Sequence, residues 1–396
     1  MHPGKYSDTA ISLAIEALKS DTEPSSGLHW VTAFEEEFAK FTDSKFAIAV
    51  NSGTSGLHAA LLGAGVEPGD EVISPALTVV MDAFSTCYLG AIPVFADVDK
   101  ETWNIDPKIV ESLITKRTKA VIAVSWFGLP ANLPELRKIC DKHGLFLLDD
   151  SAETMDLHGL KNKESVLPDA RMYSFESKKH MSTGGEGGMV TTNDEHLAQR
   201  IRKSAGLGYK HLTAGKGRTS LASRVFQNPS YERFDSIGFN YRMTPVTAAI
   251  GIGQLTNISK LLDSRKFNAG LMLEAIAGCP WLLPQPLNQN GIEHTYYTFG
   301  MSYLGYEAKG VSWQEFYDRF CAMGGDGFYS NCKNPYLEPY FKGKVNSGQV
   351  FELGLCPVAE DLQSRIMAFK TNYLDQDSAR TQAKILSKLI DEIGRT

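Results

Sequence analysis

No two cysteines in this sequence stand in C-x-x-C spacing, and only six occur among 396 residues. A chain this long has no need of disulfide staples, so a secreted disulfide scaffold is excluded and reduced thiols are expected. No apolar run reaches the length of a membrane span. The N-terminus, MHPGKYSDTA, lacks a basic stretch leading into an apolar core, so no secretion signal is expected. These absences together predict a cytoplasmic protein. Positive charge is not in excess either. The net charge of −6 argues against nucleic acid or anionic lipid as a partner. The nine histidines include no H-x-x-x-H pair and no nearby cysteine ligand, so no metal site is expected.

What is present is an ordinary globular balance, 43% hydrophobic and 22% charged, in a chain long enough for two domains. Short apolar runs alternate with helical patterns from residue 45 to 150. The runs are Phe46 to Val50, Glu71 to Ser74, Ile92 to Ala96, Ala120 to Val124 and Leu145 to Leu148. Nearly continuous apolar strands between helices predict a parallel sheet covered on both faces. Right-handed crossovers then bring every strand's C-terminal end to one edge, where ligands of open α/β sheets bind. Two more strands, Arg171 to Phe175 and Met189 to Thr192, return to this sheet. Residues 206–236 are polar and non-periodic and read as a long loop. A long helix is expected from Thr244 to Ile276, passing into a second unit. The large domain is therefore set at residues 1–255 and the small one at 256–396, which ends in an amphipathic helix marked by Ala383, Leu386, Leu389, Ile390 and Ile393.

Four pieces carry chemistry. Asn51-Ser52-Gly53-Thr54-Ser55-Gly56 joins a strand to a helix, which makes an anion cradle of free N–H groups, hydroxyls and helix dipole, or simply a capped helix. Asp149-Asp150 ends an apolar strand. A carboxylate there could hold a pyridinium nitrogen protonated, or could cap a turn. Lys179 follows the next strand in Ser174-Phe175-Glu176-Ser177-Lys178-Lys179-His180, where an amine could condense with a carbonyl cofactor, or could be one of a solvated pair. Partial burial and nearby positive charge are expected to depress its pKa. Gly184-Gly185-Glu186-Gly187-Gly188 allows a tight turn before a strand. Asp97 and Asp99 read as a solvated strand end.

The order of these pieces, a cradle, a strand-terminal Asp, then a Lys, resembles fold type I aminotransferases. More narrowly, the chain resembles the sugar aminotransferases of the DegT/DnrJ/StrS family. The matching phrases include SGTSGLHAAL (52–61), GDEVISPALT (69–78), GAIPVFADVD (90–99), ITKRTKAVIAV (114–124) and DDSAE (149–153). SFESKKH (174–180), GEGGMVTTND (185–194) and GFNYRMTPVTAAIG (238–251) are the most specific. Beyond about residue 280 only the general layout matches.

The resemblance implies a pyridoxal 5'-phosphate enzyme of fold type I, with a large domain around a mostly parallel sheet and a smaller C-terminal α/β domain. It implies that Lys179 forms the aldimine and moves a proton, with pyridoxamine phosphate as intermediate, and that Asp150 pairs with the ring nitrogen. Glu153 is placed near the ring hydroxyl. Gly53, Thr54, Ser55 and Ser174 are placed at the phosphate. Asn240 is placed at the phosphate of a neighbouring subunit, which implies a homodimer with shared sites. The implied donor is an amino acid, expected to be glutamate. The implied acceptor is a keto-sugar, expected to be nucleotide-linked.

Two departures stand out. Val79 occupies the place where the family stacks an aromatic ring on the cofactor. An extra glycine also leaves the register at the lysine ambiguous. Counting forward from Ser174 selects Lys179, and counting back from Gly185-Glu186-Gly187 selects His180. With His180 in that place the chain would resemble a ketodeoxysugar 3-dehydratase. A cofactor-binding regulator without turnover is the third reading, kept open by Val79. Lys179 is favoured, since a glycine turn absorbs an insertion more easily than a strand end does.

Overall fold

The computed structural model describes residues 4–20, 28–155, 168–215 and 223–395. Seven strands form the main sheet: β1 (Phe46–Val50), β2 (Glu71–Pro75), β3 (Ile92–Ala96), β4 (Thr118–Val124), β5 (Phe146–Asp150), β6 (Ala170–Ser174) and β7 (Gly188–Thr192). Their order is β1-β7-β6-β5-β4-β2-β3. All neighbours run parallel except β7, which is antiparallel to both β1 and β6. The sheet is thus mostly parallel, as expected, and the C-terminal ends of β4, β5 and β6 lie side by side.

Strand alternation sends successive apolar side chains to opposite faces. Ile48, Val50 and Leu148 join one core layer with the helices Gly53–Gly63 and Glu195–Ala205. Ala47, Ala49 and Leu147 join the other, with the helices Leu28–Thr42 and Pro245–Leu255. Burial on both faces explains why the strands read as continuous apolar runs.

The single helix expected from Thr244 to Ile276 is two helices, Pro245–Leu255 and Ile258–Ala275. Thr244 caps the first through the Thr247 N–H, and the chain turns at Thr256-Asn257 before the second begins. The apolar period runs across the break, which is why periodicity alone joined the two. Beyond them a four-stranded antiparallel sheet, with Thr298–Tyr303 and Ile366–Lys370 at its centre, builds a separate core. Leu386, Leu389 and Ile393 of the last helix, Gln376–Arg395, are fully buried in that core. Tyr336, Leu337, Phe341 and Phe351, by contrast, return to the core of the main sheet.

The loop expected at 206–236 carries a one-turn helix, Ser223–Phe226, and is held at its ends by bridges between Gly206 and Asn240 and between Tyr209 and Phe234. Residues 216–222 of that loop lie outside the described residues.

Asp97 is not the solvated strand end expected. It is buried and accepts the N–H groups of Val358 at 3.0 Å and Ala359 at 2.8 Å, at the start of the helix Pro357–Arg365. The missing partner was 261 residues away, out of reach of any local pattern. A carboxylate there satisfies orphan N–H groups and complements the helix dipole. Asp97→Ala is expected to cost about 1–2 kcal/mol, as for loss of a helix cap, read as a lower thermal midpoint with unchanged cofactor binding.

Candidate active site

The edge where β4, β5 and β6 end gathers most of the candidate residues. Ser52 caps the helix Gly53–Gly63 by accepting the Ser55 N–H at 3.2 Å. The N–H groups ahead of Ser55 have no partner within the helix and face outward from its start. The Ser55 hydroxyl donates to Asn51 Oδ1 at 2.5 Å. Ser174, at the end of β6, packs against this turn. A Cβ on Gly53 would come within 3.1 Å of Ser174 Cβ, so only glycine lets the two meet this closely. From the other side a Cβ on Gly188 would lie 2.7 Å from the Ser52 carbonyl oxygen. Gly188, the first residue of β7, thereby lets that strand close on the cradle. Gly53, Ser55 and Ser174 thus meet at one helix start, with Thr54 in its first turn.

Asp149 and Asp150 point to opposite sides of β5 and do different things. Asp149 is buried and takes the Arg171 Nε at 3.0 Å, with the Ser125 and Ser151 hydroxyls. Asp150 is 3% exposed, and its Oδ1 accepts the Ala152 N–H at 2.8 Å. Burial, then the charge of Asp82, pushes Asp150 well above the usual carboxylate range.

Lys179 and His180 diverge in the same way. Lys179 Nζ lies 3.1 Å from Glu153 Oε1 and 4.3 Å from the centre of the Tyr297 ring, and its side chain is 15% exposed. Glu153 Oε2 accepts the Phe127 N–H at 2.9 Å, which fixes the carboxylate that the lysine meets. Phe127 reaches it from a turn with φ of 57°, and its own ring is buried against Trp126. His180 turns the other way. It is 2% exposed, its Nε2 is 3.1 Å from the Thr295 carbonyl oxygen, and burial holds it well below the usual histidine range. In the glycine turn that follows, Gly184 and Gly185 adopt φ of 94° and 122°.

The expectation that Lys179 is depressed is not met. Burial, the largest single influence, would lower it, but Glu153, Tyr297 and Asp150 together outweigh burial and hold the amine above its ordinary value. Positive neighbours do exist, and they serve the backbone. Lys5 donates to the carbonyl oxygens of Ser177 at 2.6 Å and Lys179 at 2.8 Å. Arg265 donates to those of Lys178 at 2.7 Å, Lys179 at 3.3 Å and Tyr297 at 2.6 Å. The lysine turn is thus clamped by two cations from distant parts of the chain.

Val79 is half-buried just before the helix Met81–Cys87 and packs on the large core. Asn240 is exposed; its backbone carbonyl accepts the Asn51 amide at 3.4 Å, next to the cradle. Tyr297, Arg265, Lys5 and Asp82 were not singled out from the sequence. Asp82 lies just past the end of the GDEVISPALT phrase (69–78), after Val79, Val80 and Met81, and an acid in an apolar stretch was its one signal. Among the described residues no group of three or more His, Cys, Asp or Glu could hold a metal, and no helix is long and apolar enough to cross a membrane.

The chain is 38% identical over 248 residues to GDP-perosamine synthase of Caulobacter vibrioides, covering 63% of this chain and 62% of that one, somewhat less than two thirds of its length. It is 36% identical over 271 residues to the spore coat polysaccharide biosynthesis protein SpsC of Bacillus subtilis, covering 68% and 67% of the two chains. An aminotransferase structure from Psychrobacter cryohalolentis superposes with a TM-score of 0.86 at 28% identity, over 100% of this chain and 99% of that one. The model of the DegT/DnrJ/EryC1/StrS aminotransferase family matches residues 7–373, and the chain belongs to that family.

Proposed function

We propose that this chain is a pyridoxal-phosphate aminotransferase that moves an amino group from an amino acid, glutamate, to the keto carbon of a nucleotide-linked sugar. The observation that carries this reading is the pairing of Lys179 with Glu153 beside Asp150, at the sheet edge that also holds the anion cradle. The residues present fit such a cofactor. The helix start with Ser55 and Ser174 matches a phosphate, the buried Asp150 at the strand end matches a ring nitrogen, and Lys179 is, among the described residues, an amine that reaches both Glu153 and Asp150. When bound, the cofactor supplies an electron sink for the carbanion formed at the substrate carbon. Glu153 holds the Lys179 ammonium in place, which aims Nζ at the space between the cradle and Asp150 for attack once its proton has left. The nucleotide-linked acceptor is supported by the Caulobacter relative, named for GDP-perosamine.

The half-reaction tests this reading. Glutamate added to the cofactor-loaded protein should bleach its visible absorbance and release 2-oxoglutarate, and a nucleotide keto-sugar should restore the band. Absence of bleaching with every amino acid would favour the regulator reading. The dehydratase reading requires His180 in the lysine place, and the turn of that ring toward the Thr295 carbonyl counts against it.

We also read each site as shared between two copies of the chain, with Asn240 reaching the partner's phosphate. Its exposure beside the cradle region supports this. A two-fold dimer would build both sites at once. Lys179→Ala and Asn240→Asp protomers, each inactive alone, should regain activity when mixed under exchange, because one site of each hybrid is then undamaged. Hybrids that form without recovery would refute sharing.

A further inference from the structure

Asp82 is a buried acid with no role so far. It sits in the first turn of the helix Met81–Cys87 and is fully enclosed. The Thr78 hydroxyl donates to its Oδ2 at 2.9 Å. Its Oδ1 has no N–H or hydroxyl donor among the described residues. The group that Asp82 meets is the carboxyl of Asp150, in direct side-chain contact. The other charges that reach this pair are Glu153, beside Asp82, and Lys179, beside Asp150. The Asp149–Arg171 ion pair belongs to the opposite side of β5.

Two carboxylates in contact in a dry interior do not both ionise. We propose that Asp82 and Asp150 hold one proton between them, and that Asp82 is a positioning residue that keeps this proton available to the ring nitrogen of a bound pyridoxal or pyridoxamine phosphate. The second half of this proposal rests on the reading of Asp150 as the ring-nitrogen partner. In the cofactor-free site the proton sits on Asp150 and is accepted by Asp82 Oδ1, which gives that oxygen its missing donor. When a pyridine nitrogen arrives, the O–H bond of Asp150 breaks and an N–H bond forms on the nitrogen's lone pair. Asp150 keeps the electron pair of the broken bond as a carboxylate, and no proton has to come from water. Asp82 stays ionised, and its charge favours the positive ring.

The pair should titrate in two steps. Burial places the lower step, that of Asp82, at about 6, and the Asp82 charge helps hold the upper step, that of Asp150, well above the usual range. Infrared spectroscopy of the cofactor-free protein across pH reads this directly. A protonated-carboxyl band should persist at neutral pH, absent in Asp150→Asn. In Asp82→Asn the like charge is gone, and the pH at which the band disappears should fall by about one unit or more. Thr78→Val, which removes the donor to Asp82 and serves if Asp82→Asn does not fold, should raise the lower step. The affinity for pyridoxamine phosphate, measured by fluorescence across pH, should begin to fall at a pH lower by the same interval in Asp82→Asn, by about tenfold per unit. No band at neutral pH in the unsubstituted protein, or an unmoved upper step in Asp82→Asn, would overturn the shared proton. Unmoved binding profiles with shifted bands would overturn the role toward the ring nitrogen. Failure of the unsubstituted protein to bind pyridoxamine phosphate would instead refute the cofactor reading, while the infrared result still decides the shared proton.

Discussion

Lys179→Ala is expected to abolish both the visible absorbance of the cofactor-loaded protein and the glutamate half-reaction, while His180→Ala leaves the absorbance in place. The two residues are adjacent in sequence and opposed in space. Lys179 reaches Glu153 and lies over Tyr297, whereas His180 is buried against the Thr295 carbonyl. Only the lysine has an amine able to condense with a carbonyl. His180→Ala should lower stability instead, because it empties a fully packed site. Spectra of both variants with and without glutamate check the expectation. A normal band in Lys179→Ala, with loss in His180→Ala, would reverse the register and revive the dehydratase reading.

The paired substitutions at the end of β5 should split activity from stability. Asp150→Asn is expected to fold normally and to lose turnover on the order of a hundredfold or more, as when a preorganised electrostatic partner is removed. A neutral amide cannot keep a ring nitrogen protonated. Asp149→Asn should cost far less turnover but act on stability, because Asp149 neutralises the buried Arg171 guanidinium at 3.0 Å. Breaking a buried ion pair by removing one partner costs roughly 3–5 kcal/mol, since the other charge is left uncompensated. Asp149→Asn should therefore lower the denaturation midpoint sharply, with near-normal turnover in the fraction that folds. Denaturant titration and steady-state rates on the same preparations separate the two effects. Equal losses of turnover at both positions would show that the strand does not sort its two acids in this way.

The strands of the main sheet were legible because burial on both faces writes itself as unbroken apolar runs, and the helices because their cores repeat at helical spacing. The cradle, Asp150 and Lys179 were legible because each sits where a strand ends, and strand ends are marked locally by a change from apolar to polar residues. Apolar runs and their order thus determined the fold class and the sheet edge, and the resemblance to the family implied the chemistry proposed there. Tertiary structure alone decided which of Lys179 and His180 faces the acids, since a one-residue shift in a glycine turn is invisible to spacing. It decided equally that Asp149 and Asp150 serve opposite sides of one strand, and that Glu153 holds the lysine charged where a depressed amine was expected. It brought Lys5, Arg265 and Tyr297 to the lysine turn from 174, 86 and about 120 residues away, and Asp82 to Asp150. The physical reason is the same in each case. A side chain's charge state and partner depend on atoms within a few ångströms, and folding supplies those atoms from segments whose sequence separation carries no signal.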